Sequence, residues 1–156
     1  MPSVNLPLSN NSAIIQAYIL PSIHKLQQLT LQGIPHPQGQ LVNLLVDSGA
    51  SGTCIDPNFL QRLNLTPTSK VPVLTPSTNG IPVFIDSYDI QLLILHNYSS
   101  DAAQTVQTPI FNHHQSLRVT GNSMAGQNID GLLGMDVLRH CLFAINGKVN
   151  SFTLWW

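Results

Sequence analysis

A chain of 156 residues is long enough to bury one core, and nothing in it requires two domains, so one unit is expected, with residues 1–40 as N-terminal strands and residues 41–156 as the motif-bearing core. Charged residues make up only 8%, none of them Glu, the formal net charge is -1, and the six Lys and Arg are scattered, which argues against the basic cluster that nucleic-acid phosphates need. No apolar run approaches membrane-spanning length, so neither nucleic acid nor membrane is expected as a partner.

The first residues, Met1-Pro2-Ser3-Val4-Asn5, carry no positive cluster, and Gln16 interrupts the apolar patch that follows. No secretory leader is expected, and the chain reads as cytoplasmic. Residues 14–20 predict a strand and residues 27–31 a second, before the Gly- and Pro-containing stretch 33–39 breaks the pattern. Leu41, Val42, Leu44, Leu45 and Val46 form an apolar run too short for a helix and suited to a buried strand. It leads straight into Asp47-Ser48-Gly49-Ala50-Ser51-Gly52, where the glycines permit a tight turn. A carboxylate at the end of a buried strand is costly unless it has a partner or a task.

Residues 53–55 continue beyond the turn, and Asp56-Pro57 then opens a short helix, with Asp56 as N-cap, Pro57 in the first turn and Phe59, Leu60 and Leu63 on one face. Between residues 71 and 85, Asn79-Gly80 marks a hairpin between two β-prone arms, with three prolines making the arms irregular. Residues 88–95 predict a strand, 97–104 a polar loop, 105–111 a further strand and 117–128 a Gly- and Ser-containing connection. Then comes Ile129-Asp130-Gly131-Leu132-Leu133-Gly134-Met135-Asp136, followed by a helix-compatible segment through Cys141. Residues 141–145 and 152–156 read as a closing hairpin around Asn146-Gly147.

The Asp47-Ser48-Gly49-Ala50 loop, paired with Leu132-Leu133-Gly134-Met135-Asp136 near the C-terminus, carries a family resemblance. From about Leu41 to Trp156 the chain resembles the retropepsin-like aspartic proteases, and the bacterial single-domain members more than the shorter viral enzymes. The resemblance implies a mainly β fold, a closed barrel of the acid-protease type with one or two short helices. It also implies an endopeptidase with no cofactor, acting on a peptide or protein substrate at an acid-shifted optimum. Asp47 matches the catalytic position. Ser48 matches the hydroxyl that reaches across the twofold axis to the opposite loop, and Gly49 the backbone donor beside the carboxylates. Leu132, Leu133 and Gly134 match the segment that packs against the loop. The hairpin matches the flap that closes over bound peptide, with Ser77, Thr78, Asn79, Gly80 and Ile81 at its tip.

Such hydrolysis needs two carboxylates sharing one proton around a water, one accepting a proton from it and the other donating to the scissile carbonyl. None of the other six acids begins a second Asp-Ser/Thr-Gly triplet, so the pair is expected from two Asp47 residues facing each other in a homodimer. Where viral members often carry an acid and an Arg that pair near the interface, this chain has Ser51 and Met135. The double absence strands no charge. Asp136 and Arg139, three residues apart, offer a weak helix-surface pair instead.

Cys54 and Cys141 read as core positions rather than a disulfide. The six histidines show no zinc-ligand spacing, and His113-His114 would point to opposite faces of a strand, so no metal is expected. Val83, Phe84 and Ile85 suggest apolar subsites. Trp155-Trp156 serve either an interface between copies or the core of their own subunit. Two further readings stay open: a catalytically inactive retropepsin-like module for peptide binding or dimerisation, and an unrelated β-barrel binding module in which Asp-Ser-Gly is a turn.

Overall fold

The computed structural model describes residues 3–97, 107–112 and 116–156. In chain order, β1 (Ser3–Pro7) and β2 (Ile14–Pro21) precede helix α1 (Ile23–Leu31) and β3 (Gln40–Val46). A short β4 (Cys54–Ile55), helix α2 (Pro57–Arg62) and β5 (Ser69–Val73) follow, then the long β6 (Val83–Asn97), β7 (Gln107–Asn112) and β8 (Leu117–Gly121). The chain closes with β9 (Gly131–Leu133), helix α3 (Met135–Leu138), β10 (Leu142–Asn146) and β11 (Ser151–Trp155).

The main sheet runs β2-β3-β9-β4-β8-β6, and pairing of β2 with β6 closes these strands into a barrel. β5 and β7 extend it from β6, and β1-β11-β10 form a separate three-stranded sheet. The mainly β barrel expected from the motifs is the fold observed. Its core follows from alternation: Ile15 and Ala17 of β2 lie opposite Leu44 and Val42 of β3, and all four are fully buried. Ile90, Leu92 and Ile94 of β6 add a third inward row. Among the described residues no helix is long and apolar enough to cross a membrane.

Two expected elements are corrected, and one strand is added to those expected. Residues 27–31, read as a strand, form the end of α1, whose N-cap Ser22 accepts a hydrogen bond from Lys25 N at 3.3 Å. Lys, Leu and Gln favour helix, and the one β-branched residue late in it, Thr30, folds its hydroxyl back onto Leu26 O at 3.0 Å. Residues 117–128 are not all connection, because Leu117 and Val119 point inward from β8, a barrel strand between β4 and β6. β1 was not anticipated at all; it forms because Val4 and Leu6 find Leu154 and Phe152 of β11 opposite them. The polar loop expected at 97–104 lies outside the described residues after Asn97, and His113-His114 lie outside them too.

The closing hairpin forms as β10 and β11, and β11 is paired on both sides within its own chain. Trp156 packs against the subunit's own core cluster.

Candidate active site

Asp47 stands where β3 leaves the barrel. β9 lies between the two ends of its loop, parallel to β3 through Leu44–Gly131, Leu45–Leu132 and Val46–Leu133, and antiparallel to β4 through Cys54–Leu132. Hydrogen bonds lock the turn in this frame. Asp47 N donates to Leu133 O at 3.0 Å, Ala50 N to Asp47 O at 3.2 Å, and Met135 N to Ala50 O at 2.8 Å. Gly49 N donates to Asp47 Oδ1 at 2.8 Å, and a Cβ on Gly49 would sit 3.1 Å from that same oxygen. The Asp47 side chain is half-buried, while Ser48 and Gly49 are exposed.

Leu132 is half-buried and Leu133 fully so, and the two glycines around them have a steric cause. A Cβ on Gly131 would lie 2.2 Å from Cys54 O, and one on Gly134 would lie 2.4 Å from the Gly52 carbonyl carbon. The β9–α3 segment therefore touches the active loop backbone to backbone.

Asp136 completes the attachment from below. Its Oδ2 accepts from Thr53 N at 2.9 Å and its Oδ1 from the Thr53 hydroxyl at 2.7 Å. The same hydroxyl accepts from Gly134 N at 3.1 Å. The expected Asp136–Arg139 pair is replaced, since both Asp136 oxygens face Thr53 and Arg139 Nε donates to His140 Nε2 at 3.1 Å. Two more carboxylates hold backbone. Buried Asp56 caps α2 through Asn58 N at 2.9 Å and also accepts from Met124 N at 2.8 Å. Asp130 accepts from Asn43 N at 2.8 Å. Ser51 and Met135 put no charge beside the loop, and both are exposed.

Asp47 opens onto a cleft of about 490 Å³. Cys54 and Leu132 contribute to its lining from the barrel, Thr120 and Asn122 from β8 and the turn after it, and residues 71–76 from the facing hairpin arm. Burial pushes the Cys54 thiol upward, and the nearby negative charges of Asp47 and Asp136 add to the rise, against a backbone hydrogen bond from Leu132. The thiol stays protonated and apolar in character.

The hairpin exists as read: β5 pairs antiparallel with β6 from Ser69–Ser87 to Val73–Val83, and Asn79 and Gly80 take φ of 49° and 78°. Its tip is shaped by a short 3-10 turn at Pro76–Thr78, in which Thr78 N donates to Thr75 O at 3.0 Å and Ile81 N to Thr78 O at 2.9 Å. Ser77, Asn79, Gly80 and Ile81 are exposed there, and Thr78 is half-buried. The cleft wall is formed by the arm before the tip, Val71, Val73 and Leu74 among them, whereas Val83 and Phe84 are exposed. The alternation of Val71 and Val73 around Pro72 was the available signal for that wall. Thr120 and Asn122 carried no signal once their segment was taken for a connection.

The family model for aspartyl protease matches residues 28–137. The fold is similar to that in the crystal structure of a retropepsin-like aspartic protease from Rickettsia conorii, with a TM-score of 0.52 over 98% of this chain and 90% of that one, at 13% sequence identity. No curated protein matches the chain.

Proposed function

The chain belongs to the aspartyl protease family and has the retropepsin-like fold, and from that premise we propose that it is a homodimeric aspartic endopeptidase whose reacting carboxylates are Asp47 of each copy. One observation carries the reading: a half-buried Asp47, held by backbone bonds on both sides of its turn, borders a cleft of peptide-binding size. One such aspartate per chain supplies half of a dyad, and a twofold axis supplies the other half.

In the dimer the two carboxylates lie too close for both to ionise, so they share a proton. The ionised member takes a proton from the bound water as the water attacks the scissile carbonyl, and the protonated member donates to the carbonyl oxygen. Gly49 N, already on Asp47 Oδ1, holds the carboxylate in orientation. Ser48, exposed at the turn, is free to reach the opposite loop. The β5–β6 hairpin acts as the flap that covers the peptide and excludes water. Leu132, Val71 and Val73 make the cleft suited to apolar side chains.

The test is cleavage of a peptide library across acid to neutral pH by the wild type and Asp47→Asn, with the mass of each measured in solution. Cleavage by the wild type and none by the folded variant is expected. Undiminished cleavage by Asp47→Asn would overturn the assignment, and a folded, peptide-binding wild type that never cleaves would favour the inactive module.

A further inference from the structure

One wall of the cleft at Asp47 is polar, and peptide hydrolysis as proposed makes no use of it. The wall is the end of β8. Side chains alternate along that strand: Leu117 and Val119 are buried in the core, and a Cβ on Gly121 would meet Tyr88 Cε2 at 3.0 Å and Leu60 Cδ1 at 3.6 Å on the same side. Thr120 and Asn122 fall on the other face, where both border the cleft.

The backbone that carries them is pinned along its length. Thr120 N donates to Thr53 O at 3.2 Å, Asn122 N to Ile55 O at 3.1 Å, and Met124 N to Asp56 Oδ2 at 2.8 Å. A polar group on such a frame is presented in one place.

Asn122 carries a further mark. Among the described residues its Oδ1 is buried and accepts no hydrogen bond, although a buried carbonyl without a donor is unfavourable and nearly all such groups find one. Rotation about the Cβ–Cγ bond of an amide is soft, so this oxygen can turn to a donor that enters the cleft.

We infer that Asn122, with Thr120 beside it, selects a substrate side chain ending in a primary amide, Gln or Asn. The inference rests on the protease reading and names the side chain that its cleft prefers. Such an amide donates to the Asn122 oxygen and accepts from the Asn122 NH2 or the Thr120 hydroxyl, so both of its ends are satisfied. Other side chains each leave a group unmet. An apolar one supplies no donor. An ionised carboxylate supplies none either, and it adds negative charge near Asp47, the one charged residue in the lining. Lys or Arg donates but cannot accept, and it must shed water in a cleft whose walls include Val71, Val73, Leu74 and Leu132.

The experiment separates the subsite from the protease reading. Peptides that differ only in Gln, Leu, Lys or Glu at one position, scanned along the sequence, are offered to full-length wild type, Asn122→Leu and Thr120→Val, and cleavage is read as kcat/KM. The same peptides are titrated into full-length Asp47→Asn, with and without Asn122→Leu, which reads binding apart from chemistry. At one position the Gln peptide should exceed its Leu twin by about tenfold or more. Asn122→Leu should cancel or reverse that ratio with the circular dichroism spectrum unchanged, and Thr120→Val should shrink it; should Asn122→Leu fail to fold, the Thr120→Val ratio decides. The absence of any position that favours Gln, or a Gln preference that survives both substitutions, overturns the subsite and leaves the protease reading standing. A wild type that never cleaves, while Asp47→Asn binds the Gln peptide more tightly than the Leu one and loses that margin with Asn122→Leu, does the reverse.

Discussion

Gly134→Ala tests the claim that the active loop is held by backbone contact. The added methyl would lie 2.4 Å from the Gly52 carbonyl carbon, 2.5 Å from its oxygen and 2.9 Å from Thr53 N, all backbone atoms that cannot rotate away. Restoring ordinary contact requires the Gly52–Thr53 backbone to move by about 1 Å. That movement stretches the bonds Thr53 makes to Asp136 at 2.9 and 2.7 Å and to Gly134 N at 3.1 Å. Overpacking costs about 1–3 kcal/mol and each of the three weakened bonds about 1 kcal/mol, so a loss of about 4–6 kcal/mol is expected. Urea unfolding at fixed protein concentration measures it, the concentration being held because the proposed association with a second copy would add to apparent stability. The melting temperature should fall by about 10 °C, and cleavage should drop even where the variant is folded. Gly147→Ala, whose methyl meets nothing within 4 Å, is the control and should stay within about 0.5 kcal/mol of wild type. A Gly134→Ala protein as stable as that control would refute the reasoning.

Three further outcomes follow from the same geometry. Thr53→Val leaves Gly134 N without its acceptor and Asp136 Oδ1 without the Thr53 hydroxyl, and should cost about 1–3 kcal/mol in urea unfolding, while Thr53→Ser recovers most of it. Asp56→Ala removes both the α2 cap and the acceptor for Met124 N, for a loss of about 2–4 kcal/mol, and Asp56→Asn should recover part of it; a change below about 0.5 kcal/mol would contradict the double role. Burial raises the thiols of Cys54 and Cys141 above 9.0, so above that pH the unfolded chain loses protons that the folded chain keeps. The stability they contribute is complete below pH 9.0 and is lost as the pH rises through the folded values, so the urea midpoint should fall on the alkaline side, less steeply in Cys54→Ala.

Features set by neighbouring residues were legible in the chain. The α2 cap at Asp56-Pro57, the positive φ of Asn79-Gly80 and the buried strand ending at Asp47 each follow from what a few adjacent side chains allow the backbone to do. Residues 27–31 misled because five residues of mixed pattern suit a strand as well as a helix, and the deciding cap, Ser22, lies outside them.

Other features depend on partners far along the chain. β1 and β8 exist as strands because β11, β4 and β6 offer them edges. Asp136 is a plausible surface acid until folding brings Thr53, 83 residues earlier, against it. Gly134 needs to be glycine only because the Gly52 carbonyl arrives beside it. The cleft wall at Val71 and Val73 and the polar wall at Thr120 and Asn122 likewise appear only when the sheets assemble. Local backbone preference and hydrophobic alternation are written in adjacent residues, whereas contact across the barrel depends on strand order and register, which no short stretch encodes.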